Sequence, residues 1–337
     1  MPDPVVTVVI PTLSADRRLV ECLDALSRQT RRDFEVIVVD NSGKGLVKNG
    51  EAGRRGATVI EPGRNLGFGA AINLGFRDSR APLVAALNDD AAPRAEWLEA
   101  LVNATERWPE AGMLASQVRF YQEEFLDSAG MVMSRDASSK QRGHLFPVAE
   151  YDREEEVLFP SASAALYRRA MLDEIGLFDE DFFLYCEDTD LGLRARWAGW
   201  KCVYVPGAIV EHHYSHSAGR ASRLKAYYVE RNRLFVAAKN YPGRMLWAVP
   251  FATLARYWWH VRSIALGRGT AAQFRREGNS ALRLGLLVVQ AHWSLLRNLG
   301  ALRRKRREIQ SRAKISAAEF GKLLRAHSIP ARRVAEL

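Results

Sequence analysis

The chain has 337 residues, of which 47% are hydrophobic and 26% charged, the composition of an ordinary folded protein. Its length suits one large domain, or one domain with an appendage. The three cysteines are widely spaced and form no CxxC pair, which argues against a zinc ribbon or a disulfide framework and suits a reducing cytosol. No apolar stretch reaches the roughly 20 residues that a membrane-spanning helix needs, and no signal peptide is expected.

The net charge of +10 is unevenly distributed along the chain. Residues 1–219 contain 24 Lys and Arg against 34 Asp and Glu, whereas residues 220–337 contain 25 against 5. This shift predicts a domain boundary near residue 220. The basic segment that follows favours an anionic partner, such as an anionic membrane surface or a nucleic acid.

In the first half of the chain, short β-branched runs alternate with segments of helical periodicity. Buried strands are predicted at 5–10, 35–39, 58–60 and 82–86. Helices are predicted up to about residue 28, from about 70 to 77, and at 96–107. This alternation predicts an α/β fold, with a mostly parallel sheet flanked by helices.

The second half is less regular. Strands are predicted at 113–118, 164–167 and 203–205, the last ended by Pro206-Gly207, and a helix is predicted from Asp188 to Trp200. The polar segment 123–156 is expected to be a mobile excursion. Beyond residue 220 the pattern predicts helices throughout.

Two adjacent carboxylates, Asp89 and Asp90, follow the strand predicted at 82–86. Open α/β sheets bind ligands at the carboxyl ends of their strands, so the pair is expected at a ligand site. Because the two charges repel, a divalent cation that bridges to phosphate, Mg²⁺ or Mn²⁺, is the expected partner. The alternative is an acidic turn that caps the next helix.

Asp40 ends the second predicted strand and is expected to face the same crevice. There it would accept hydrogen bonds from the base or ribose of a nucleotide, unless it serves only as a turn cap. Nearby, Gly67-Phe68-Gly69 matches half of a dinucleotide-binding glycine loop but lacks the third glycine, so a dinucleotide site is weakly supported. The helix start that follows still offers amides to phosphate or sugar, with Asn65 and Asn73 as neutral donors and acceptors.

Three acids, Glu187, Asp188 and Asp190, come directly after an aromatic run. Asp188 suits a helix cap, where the helix dipole favours a carboxylate. A cap needs one acid rather than three, so a general base at the rim of the crevice is predicted here.

Three of the seven histidines fall within the segment 212–216, which is expected to be a loop after a strand. A lone histidine is more often structural than a ligand, but a cluster beside acidic pairs favours metal or diphosphate binding. A hydrolytic zinc site is the alternative, and no HxxxH helix supports it.

The basic segment combines aromatic residues with cations at helical spacing. On one predicted helix lie Leu224, Tyr227, Tyr228, Arg231, Leu234 and Phe235. Further aromatic residues at 247–259 are interleaved with arginines, and the apolar run 282–299 is followed by five cations at 303–307. This pattern predicts helices that lie on a membrane surface; packing on the catalytic domain or a homo-oligomer contact is the alternative.

Taken together, these motifs resemble family 2 glycosyltransferases of the GT-A fold over roughly residues 5–217, with weaker similarity to about 241. The matching pieces are Val8–Thr12, Val38–Ser42, Asn65–Gly75, Leu87–Ala91, Asp127–Gly130, Glu187–Leu191 and Val205–His212. The Asn65–Gly75 loop is typical of the branch that contains bacterial rhamnosyltransferases and galactofuranosyltransferases. Those enzymes use dTDP- or UDP-sugars to build cell-surface glycans, often on polyprenyl-diphosphate lipids.

The resemblance implies a role for each matching acid. Asp188 would be the catalytic base, and Asp40 would bind the pyrimidine or ribose. Asp90 would hold the metal with the support of Asp89, although many relatives have proline at the position of Asp89.

The resemblance also assigns the remaining site residues. His212 stands where the family has its metal- or diphosphate-binding histidine, with His213 as the alternative because the doublet leaves the register open. Donor binding is expected to involve the matched residues Pro11, Asn65, Gly67 and Asn73. Glu187 is a further possible site residue.

The sequence therefore predicts an inverting glycosyltransferase with a C-terminal helical extension, cytoplasmic and peripheral on the inner face of the cell membrane. The predicted donor is dTDP-L-rhamnose, with a UDP-hexose or UDP-galactofuranose as alternatives, and the predicted acceptor is lipid-linked or a polysaccharide. A non-catalytic sugar-nucleotide or membrane-binding adaptor is a competing hypothesis, against which the intact Asp40, Asp90 and Asp188 argue. No RNP, KH or helix-turn-helix signature supports a nucleic-acid-binding protein.

Overall fold

The computed structural model describes residues 3–48, 50, 53, 55–213, 222–267 and 281–337. The strands are β1 Val6–Thr12, β2 Phe34–Asp40, β3 Thr58–Ile60, β4 Leu83–Leu87, β5 Ala91–Pro93, β6 Ala111–Phe120, β7 Leu126–Ser128, β8 Met131–Met133, β9 Ser139–Gln141, β10 Glu155–Val157, β11 Ala164–Arg168 and β12 Lys201–His212. The helices are α1 Arg17–Ser27, α2 Phe68–Asp78, α3 Trp97–Arg107, α4 Arg169–Ile175, α5 Glu187–Trp197, α6 Arg223–Asn240, α7 Gly243–Leu246, α8 Val249–Ala265, α9 Ala281–Ser311, α10 Ala317–Ala326 and α11 Ala331–Glu336. The predicted α/β fold class is confirmed.

One large mixed sheet organises the first two thirds of the chain. Its main path runs β10-β12-β6-β11-β4-β1-β2-β3, with β5 paired to β12 and β7 to β6. Strands β4, β1, β2 and β3 are parallel, as are β12 and β6, while β11 is antiparallel to both β4 and β6. The carboxyl ends of β1, β2 and β4 therefore meet at one edge, with Thr12 beside Asp40.

Burial explains why the first elements form where the sequence predicts them. Every residue of β1 and β4 is buried, so their near-continuous apolar runs have no solvent face. Helix α1 instead buries one stripe, formed by Leu19, Cys22, Leu23, Ala25 and Leu26, and Asp16 caps its first turn.

The segment 123–156 is not the mobile excursion that its polarity predicts. It contains β7, β8, β9 and the start of β10, and β7 pairs with β6. The expectation failed because three-residue strands have no readable periodicity, and because the polar Asp127 and Ser128 are buried in β7.

The expectation that Pro206-Gly207 ends a strand is also wrong, because β12 continues to His212. Its register with β6 shifts between Val205 and Ile209, so that the intervening residues form an irregularity rather than a strand end. Proline, which lacks an N–H group, is tolerated at such a bulge. His212 therefore lies on a strand, while residues 214–217 of the predicted histidine loop are outside the described residues.

The chain divides into two compact units. The N-terminal unit comprises Met1–Met131, Gln141–Ala195 and Trp200–Tyr214; the C-terminal unit comprises Val132–Lys140, Arg196–Gly199 and Ser215–Leu337. The predicted boundary at 219/220 lies outside the described residues and stays a prediction.

The C-terminal unit is held together by packed helices and a buried ionic network. Helix α6 packs on α9, and α8 on α11. Arg256 donates to Asp136 at 2.5 Å and to Glu230 at 2.7 Å, and Arg233 donates to Glu230 at 3.0 Å. Removing one partner from such a buried network leaves an uncompensated charge, at a typical cost of about 3–5 kcal/mol.

Among the described residues, no helix combines the length and apolar character that crossing a bilayer requires. None of the three cysteines takes part in a disulfide bond in the described structure.

Helix α5 packs so closely against the segment before β11 that its glycine has no room for a side chain. A Cβ atom on Gly192 would lie 2.2 Å from Phe159 Cβ. We expect Gly192→Ala to lower the free energy of unfolding by about 1–3 kcal/mol, because the buried Phe159 must move. Urea unfolding followed by tryptophan fluorescence measures this loss.

Gly285 on α9 provides the matched control, because a Cβ atom there would meet nothing within 4 Å. Gly285→Ala is expected to be neutral or to stabilise by up to about 1 kcal/mol, through helix propensity alone. Equal effects of the two substitutions would contradict the close packing of α5.

Candidate active site

The pairing of β5 with β12 brings two predicted site residues together. His212 stands opposite Ala91 in this antiparallel pair, so its neighbour in space is Asp90, in the turn between β4 and β5. The Asp90 carbonyl accepts a hydrogen bond from the His213 amide at 3.1 Å. Asp90 and His212 are both only 6% exposed.

The imidazole of His212 lies between two carboxylates. Its Nε2 atom is 3.1 Å from Asp90 Oδ1, and its Nδ1 atom is 2.8 Å from Asp127 Oδ2. The side-chain amide of Asn88 lies 3.2 Å from the same Nε2 atom. These contacts fix the orientation of the ring, with one nitrogen held by Asp127 and the other directed at Asp90.

This arrangement concentrates negative charge around one ring. Burial disfavours a charged imidazole, yet hydrogen bonds from it to Asp127 and Asp90 raise the pKa of His212 to about 10. Burial opposes ionisation of Asp127 as well, but its contacts with His144 and His212 lower its pKa to about 2. Two buried carboxylates thus stay ionised beside a protonated His212, and a metal ion bound to Nε2 would take the place of the proton on that nitrogen.

The second histidine of the doublet points to different partners. The His213 ring stacks on Tyr121 with ring centroids 3.9 Å apart, and its Nε2 atom is 3.3 Å from Glu21 Oε2. The geometry therefore places His212, and not His213, beside the Asp90 carboxylate.

Asp89 faces the end of β1. Its Oδ2 atom accepts a hydrogen bond from Thr12 Oγ1 at 2.6 Å. Burial and the neighbouring Asp90 raise the pKa of Asp89 to about 6, against the effect of the Thr12 hydroxyl. The pKa values of the two adjacent acids are therefore shifted in opposite directions, because the contact with His212 lowers the pKa of Asp90 despite its burial.

The Asp90–His212 pair fits part of a divalent cation site. Among the residues that the structure describes, no cluster of three or more His, Cys, Asp or Glu side chains is arranged to hold an ion. Mg²⁺ and similar ions are commonly held by one or two protein ligands, with phosphate oxygens and waters completing the shell. A histidine whose second nitrogen is bonded to a carboxylate, as His212 is to Asp127, is the usual form of a metal-ligating imidazole.

The predicted base lies in the first turn of α5. Asp188 Oδ1 accepts hydrogen bonds from the Thr189 amide at 2.6 Å and the Thr189 hydroxyl at 3.2 Å, while Oδ2 accepts only a long one from the Ala162 amide at 3.4 Å. Oδ2 thus keeps the capacity to accept a proton. Burial raises the pKa of Asp188, against these hydrogen bonds.

Glu187 is buried beside Asp188, and among the described residues its Oε2 atom has no hydrogen-bond partner. Burial and the Asp188 charge raise the pKa of Glu187 to about 8. Of the two buried carboxyls, Glu187 is therefore the one that more readily keeps a proton. The third acid has a different role, since Asp190 accepts a hydrogen bond from Arg194 at 2.9 Å within α5.

A strained segment leads into these acids. Phe183, Tyr185 and Cys186 all have a positive φ, of 62°, 68° and 65°. Gly67 touches this segment so closely that a Cβ atom on it would lie 2.1 Å from the Phe183 carbonyl oxygen, which also accepts from the Phe68 amide at 2.8 Å. Gly67, predicted to bind the donor, thus also fixes the start of α2 against the segment that precedes the base.

Asp40 and Asn65 organise the loops at the carboxyl edge of the sheet. Asp40 is 1% exposed, and its two oxygens accept hydrogen bonds from Ser42 and from the Val47 amide. Burial alone would raise the pKa of Asp40, but these hydrogen bonds outweigh that effect and lower it. Asn65 Oδ1 accepts from Asn41 Nδ2 at 3.1 Å and from the Gly67 amide at 2.9 Å. Asp40 is thus the turn cap that the sequence left open as an alternative; its role toward a nucleotide stays a prediction.

The two other predicted donor-binding residues are buried. The Asn73 side chain bonds both the amide and the carbonyl of Phe178, at 3.0 and 2.9 Å, and donates to Glu180 at 3.0 Å. Pro11 lies within β1 opposite Val39. Any effect of Asn73 on a ligand would therefore act through the position of α2.

Sequence reasoning assigned no role to Asp127 and His144. Asp127 holds Nδ1 of His212, and His144 Nδ1 lies 2.9 Å from the Asp127 carbonyl oxygen. The available signal was a single acid within the small and apolar run Leu126–Gly130. Its two histidine partners are 17 and 85 positions away in sequence, so spacing could not reveal the contact.

The Asp90–His212 pair and Asp188 belong to one site, because hydrogen bonds from consecutive residues join them. The Asn88 amide donates to the Ser163 carbonyl at 2.9 Å, and the preceding Ala162 amide donates to Asp188. Asn88 also contacts His212 through its side chain. Asp188, the Asp89–Asp90 pair and His212 are therefore linked by one short series of hydrogen bonds.

Comparison with solved structures places the fold among glycosyltransferases. The chain aligns with GalNAc-T7, solved with UDP, GalNAc and Mn²⁺, at a TM-score of 0.55 and 14% identity, over 70% of this chain and 50% of that one. It also aligns with the mannosyltransferase PcManGT from Pyrobaculum calidifontis, solved with GDP-Man and Mn²⁺, at a TM-score of 0.50 and 18% identity, over 92% and 86% of the two chains.

Sequence comparison gives the family. The model described as "Glycosyltransferase like family 2" matches residues 2–236. The N-acetylglucosaminyl-diphospho-decaprenol L-rhamnosyltransferase of Mycobacterium tuberculosis is 32% identical over 299 residues, covering 81% of this chain and 96% of that protein. The rhamnosyltransferase WbbL of Escherichia coli is 39% identical over 67 residues, or 20% of this chain and 25% of its own. The chain therefore belongs to the glycosyltransferase-like family 2, and it is a rhamnosyltransferase-like glycosyltransferase.

Proposed function

We propose that the enzyme transfers L-rhamnose from dTDP-L-rhamnose to a sugar carried on a polyprenyl diphosphate, with inversion at the anomeric carbon. The proposed catalytic site is supported by the series of hydrogen bonds that runs from His212 through Asn88 and Ser163 to Asp188. The donor sugar and the lipid-linked acceptor rest on the similarity to the mycobacterial rhamnosyltransferase. In keeping with that acceptor, we place the enzyme at the cytoplasmic face of the membrane.

In this proposal Asp188 is the general base. Its Oδ2 atom accepts the proton of the acceptor hydroxyl as that oxygen attacks the anomeric carbon and the bond to the nucleoside diphosphate breaks. A positioned base of this kind contributes roughly 10²–10⁴ in rate. One carboxylate is sufficient, because a diphosphate leaves without the protonation that a glycosidase must supply to its leaving group.

We assign the donor diphosphate to the Asp90–His212 end of the site. Asp90 and His212 Nε2 would hold Mg²⁺ or Mn²⁺, with Asp127 orienting the imidazole. Such an ion supplies Lewis-acid stabilisation of the departing diphosphate. The Asp40 turn and the amides at the start of α2 would contact the nucleoside and the sugar.

The proposal predicts that Asp188→Asn lowers kcat for sugar transfer by roughly 10²–10⁴, while the Kd for the nucleoside diphosphate changes little, because the amide cannot accept the proton. The assay is nucleotide release from dTDP-L-rhamnose, UDP-galactofuranose and a UDP-hexose, with a polyprenyl-diphosphate sugar as acceptor. Asp190→Asn is unsuitable as a control because Asp190 pairs with Arg194, so the neighbouring Glu187→Gln, which keeps the size of the side chain, is used.

Glu187→Gln is expected to retain most of the activity, since Glu187 is neutral at the assay pH. Transfer of rhamnose in the wild type, lost in Asp188→Asn alone, would support the proposal. If the enzyme turns over only a UDP-sugar, the proposed donor is wrong but the assignment of Asp188 as the base still holds. Full activity of Asp188→Asn would contradict the assignment of the base.

Glu187 also gives stability a defined pH dependence. Its pKa is about 8 in the folded chain against an ordinary value of 4.5, so the folded state binds more protons between these limits. The contribution of Glu187 is therefore fully present below pH 4.5 and is lost as the pH rises through 8. We expect the Tm of Glu187→Gln relative to wild type to increase between pH 6 and pH 9. Thermal unfolding at both pH values measures this, and the exposed Glu123→Gln serves as a control that shows no such increase.

The Asp127 contact predicts a graded loss of metal affinity. Asp127→Asn is expected to weaken Mn²⁺ binding in the presence of dTDP by roughly 10–100-fold, because His212 loses the carboxylate that orients it. Isothermal titration calorimetry measures the Kd without turnover. Glu21→Gln, which removes the carboxylate partner of His213 instead, should leave the Kd unchanged; equal losses in both variants would refute the choice of His212 over His213.

A further inference from the structure

The C-terminal unit exposes two apolar stripes on separate helices. The first, which we call the α8 stripe, consists of Phe251 (73% exposed), Leu254 (64%), Trp258 (56%) and Val261 (66%) on α8, together with Trp247 (83%), which lies two residues before α8 begins. The second, the α9 stripe, consists of Leu286 (54%), Val289 (65%), Trp293 (58%) and Leu296 (60%). Within each helix the members recur every three or four residues and therefore form one continuous face.

Both helices are fixed by their opposite faces, so the stripes are not the result of poorly packed elements. Helix α8 buries Val249, Thr253, Arg256 and Ser263, and Arg256 belongs to the buried ionic network. Helix α9 buries Ala291, Leu302 and Ile309. Each helix therefore has a packed face and an apolar face that no described residue covers.

The charges beside the stripes are of one sign. Between Glu230 and Glu308 the sequence contains a single acid, Glu277, which lies outside the described residues. The guanidinium of Arg262 lies 5.9 Å from the Trp258 ring centroid, and that of Arg297 lies 5.8 Å from the Trp293 ring. Five consecutive cations at 303–307 follow the α9 stripe on the same helix.

We infer that the α8 and α9 stripes insert into the headgroup region of an anionic phospholipid membrane. Tryptophan combines an apolar body with a polar N–H group, which suits the boundary between lipid and water. The arginines beside the stripes and the exposed Arg303, Arg304 and Arg307 complement anionic headgroups, with each cation near the surface adding to the attraction. The inference extends the proposed function and rests on it only in that a lipid-linked acceptor gives the enzyme a reason to bind a membrane.

A second copy of the chain is the competing occupant, and the charges disfavour it. A twofold interface places the same patch against itself. The arginine flanks of each stripe would then face the arginine flanks of the partner. An anionic membrane instead offers charges of the opposite sign along the whole length of both helices.

The structure limits this surface to two of the three segments in which the sequence pattern predicted it. On α6, Leu234 and Phe235 are buried, and Tyr227 and Tyr228 are half-buried beside Arg231. Tyr257, also counted in the aromatic pattern, donates to Glu230 in the buried network. Docking is therefore assigned to α8 and α9 rather than to α6.

The test is co-sedimentation of the full chain with vesicles of phosphatidylglycerol and phosphatidylethanolamine, and with vesicles of phosphatidylcholine alone. The wild type should bind the anionic vesicles, and binding should weaken as salt screens the cations. Trp247→Ser with Trp258→Ser, and separately Trp293→Ser with Leu296→Ser, should each lower the partition coefficient by about tenfold or more, because apolar area is removed from the inserted face. The matched control is Leu145→Ser with Phe146→Ser, which are 57% and 40% exposed in the N-terminal unit.

Two further measurements distinguish a loss of membrane binding from a loss of catalytic activity. Nucleotide release without vesicles should be unchanged in both stripe variants, so a failure of docking is distinguishable from a failure of the proposed catalytic site. Brominated lipids should quench the tryptophan fluorescence of the wild type more than that of either stripe variant. Unchanged sedimentation of both stripe variants, or an equal loss in the control, would overturn the inference. A lipid-free dimer that the stripe substitutions dissociate would overturn it in favour of a contact between copies.

Discussion

The pairing of β5 with the end of β12 is the constraint on which the site depends. It places His212 against Asp90, and the buried Asp127 then fixes which nitrogen of the ring faces that carboxylate. The two ionised carboxylates on either side of the buried imidazole attract a cation strongly. The same backbone framework continues through Asn88 and Ser163 to Asp188. In the proposed mechanism, binding of the donor and activation of the acceptor would therefore depend on one set of hydrogen bonds.

The two acid pairs of the site are tuned by different means. His212 offsets the cost of burying Asp90 and lowers the pKa of that carboxyl. Burial and the Asp90 charge raise the pKa of Asp89 despite the hydrogen bond from the Thr12 hydroxyl. In the second pair, one oxygen of Glu187 has no hydrogen-bond partner among the described residues, and burial beside Asp188 raises the pKa of Glu187 to about 8. In each pair, the contacts of the two carboxyls separate a charged group from a more readily protonated neighbour.

Much of the fold could be predicted because long elements carry periodic patterns. The strand ends at Asp40 and near Asp90, and the helix that begins at Glu187, follow from apolar runs and helical spacing. The elements that were missed have a common cause. Strand β5 has three residues, and β12 passes through Pro206-Gly207, which reads as a strand end unless a register shift accommodates it. The link from Asp127 to His212 is a long-range contact, which no local pattern encodes. The exposed faces of α8 and α9 needed the structure as well, since the same composition also fits the mostly packed α6.

In the proposed mechanism, Asp90 and His212 together hold the ion on the donor diphosphate. Anomalous diffraction at the manganese edge, from crystals of the enzyme grown with Mn²⁺ and dTDP, tests this pairing. We expect one anomalous peak in contact with the Asp90 carboxylate, His212 Nε2 and the nucleotide diphosphate, with Asp127 still bonded to Nδ1. A bound nucleotide with Mn²⁺ on His213 and Glu21, or with no ion near Asp90, would contradict it.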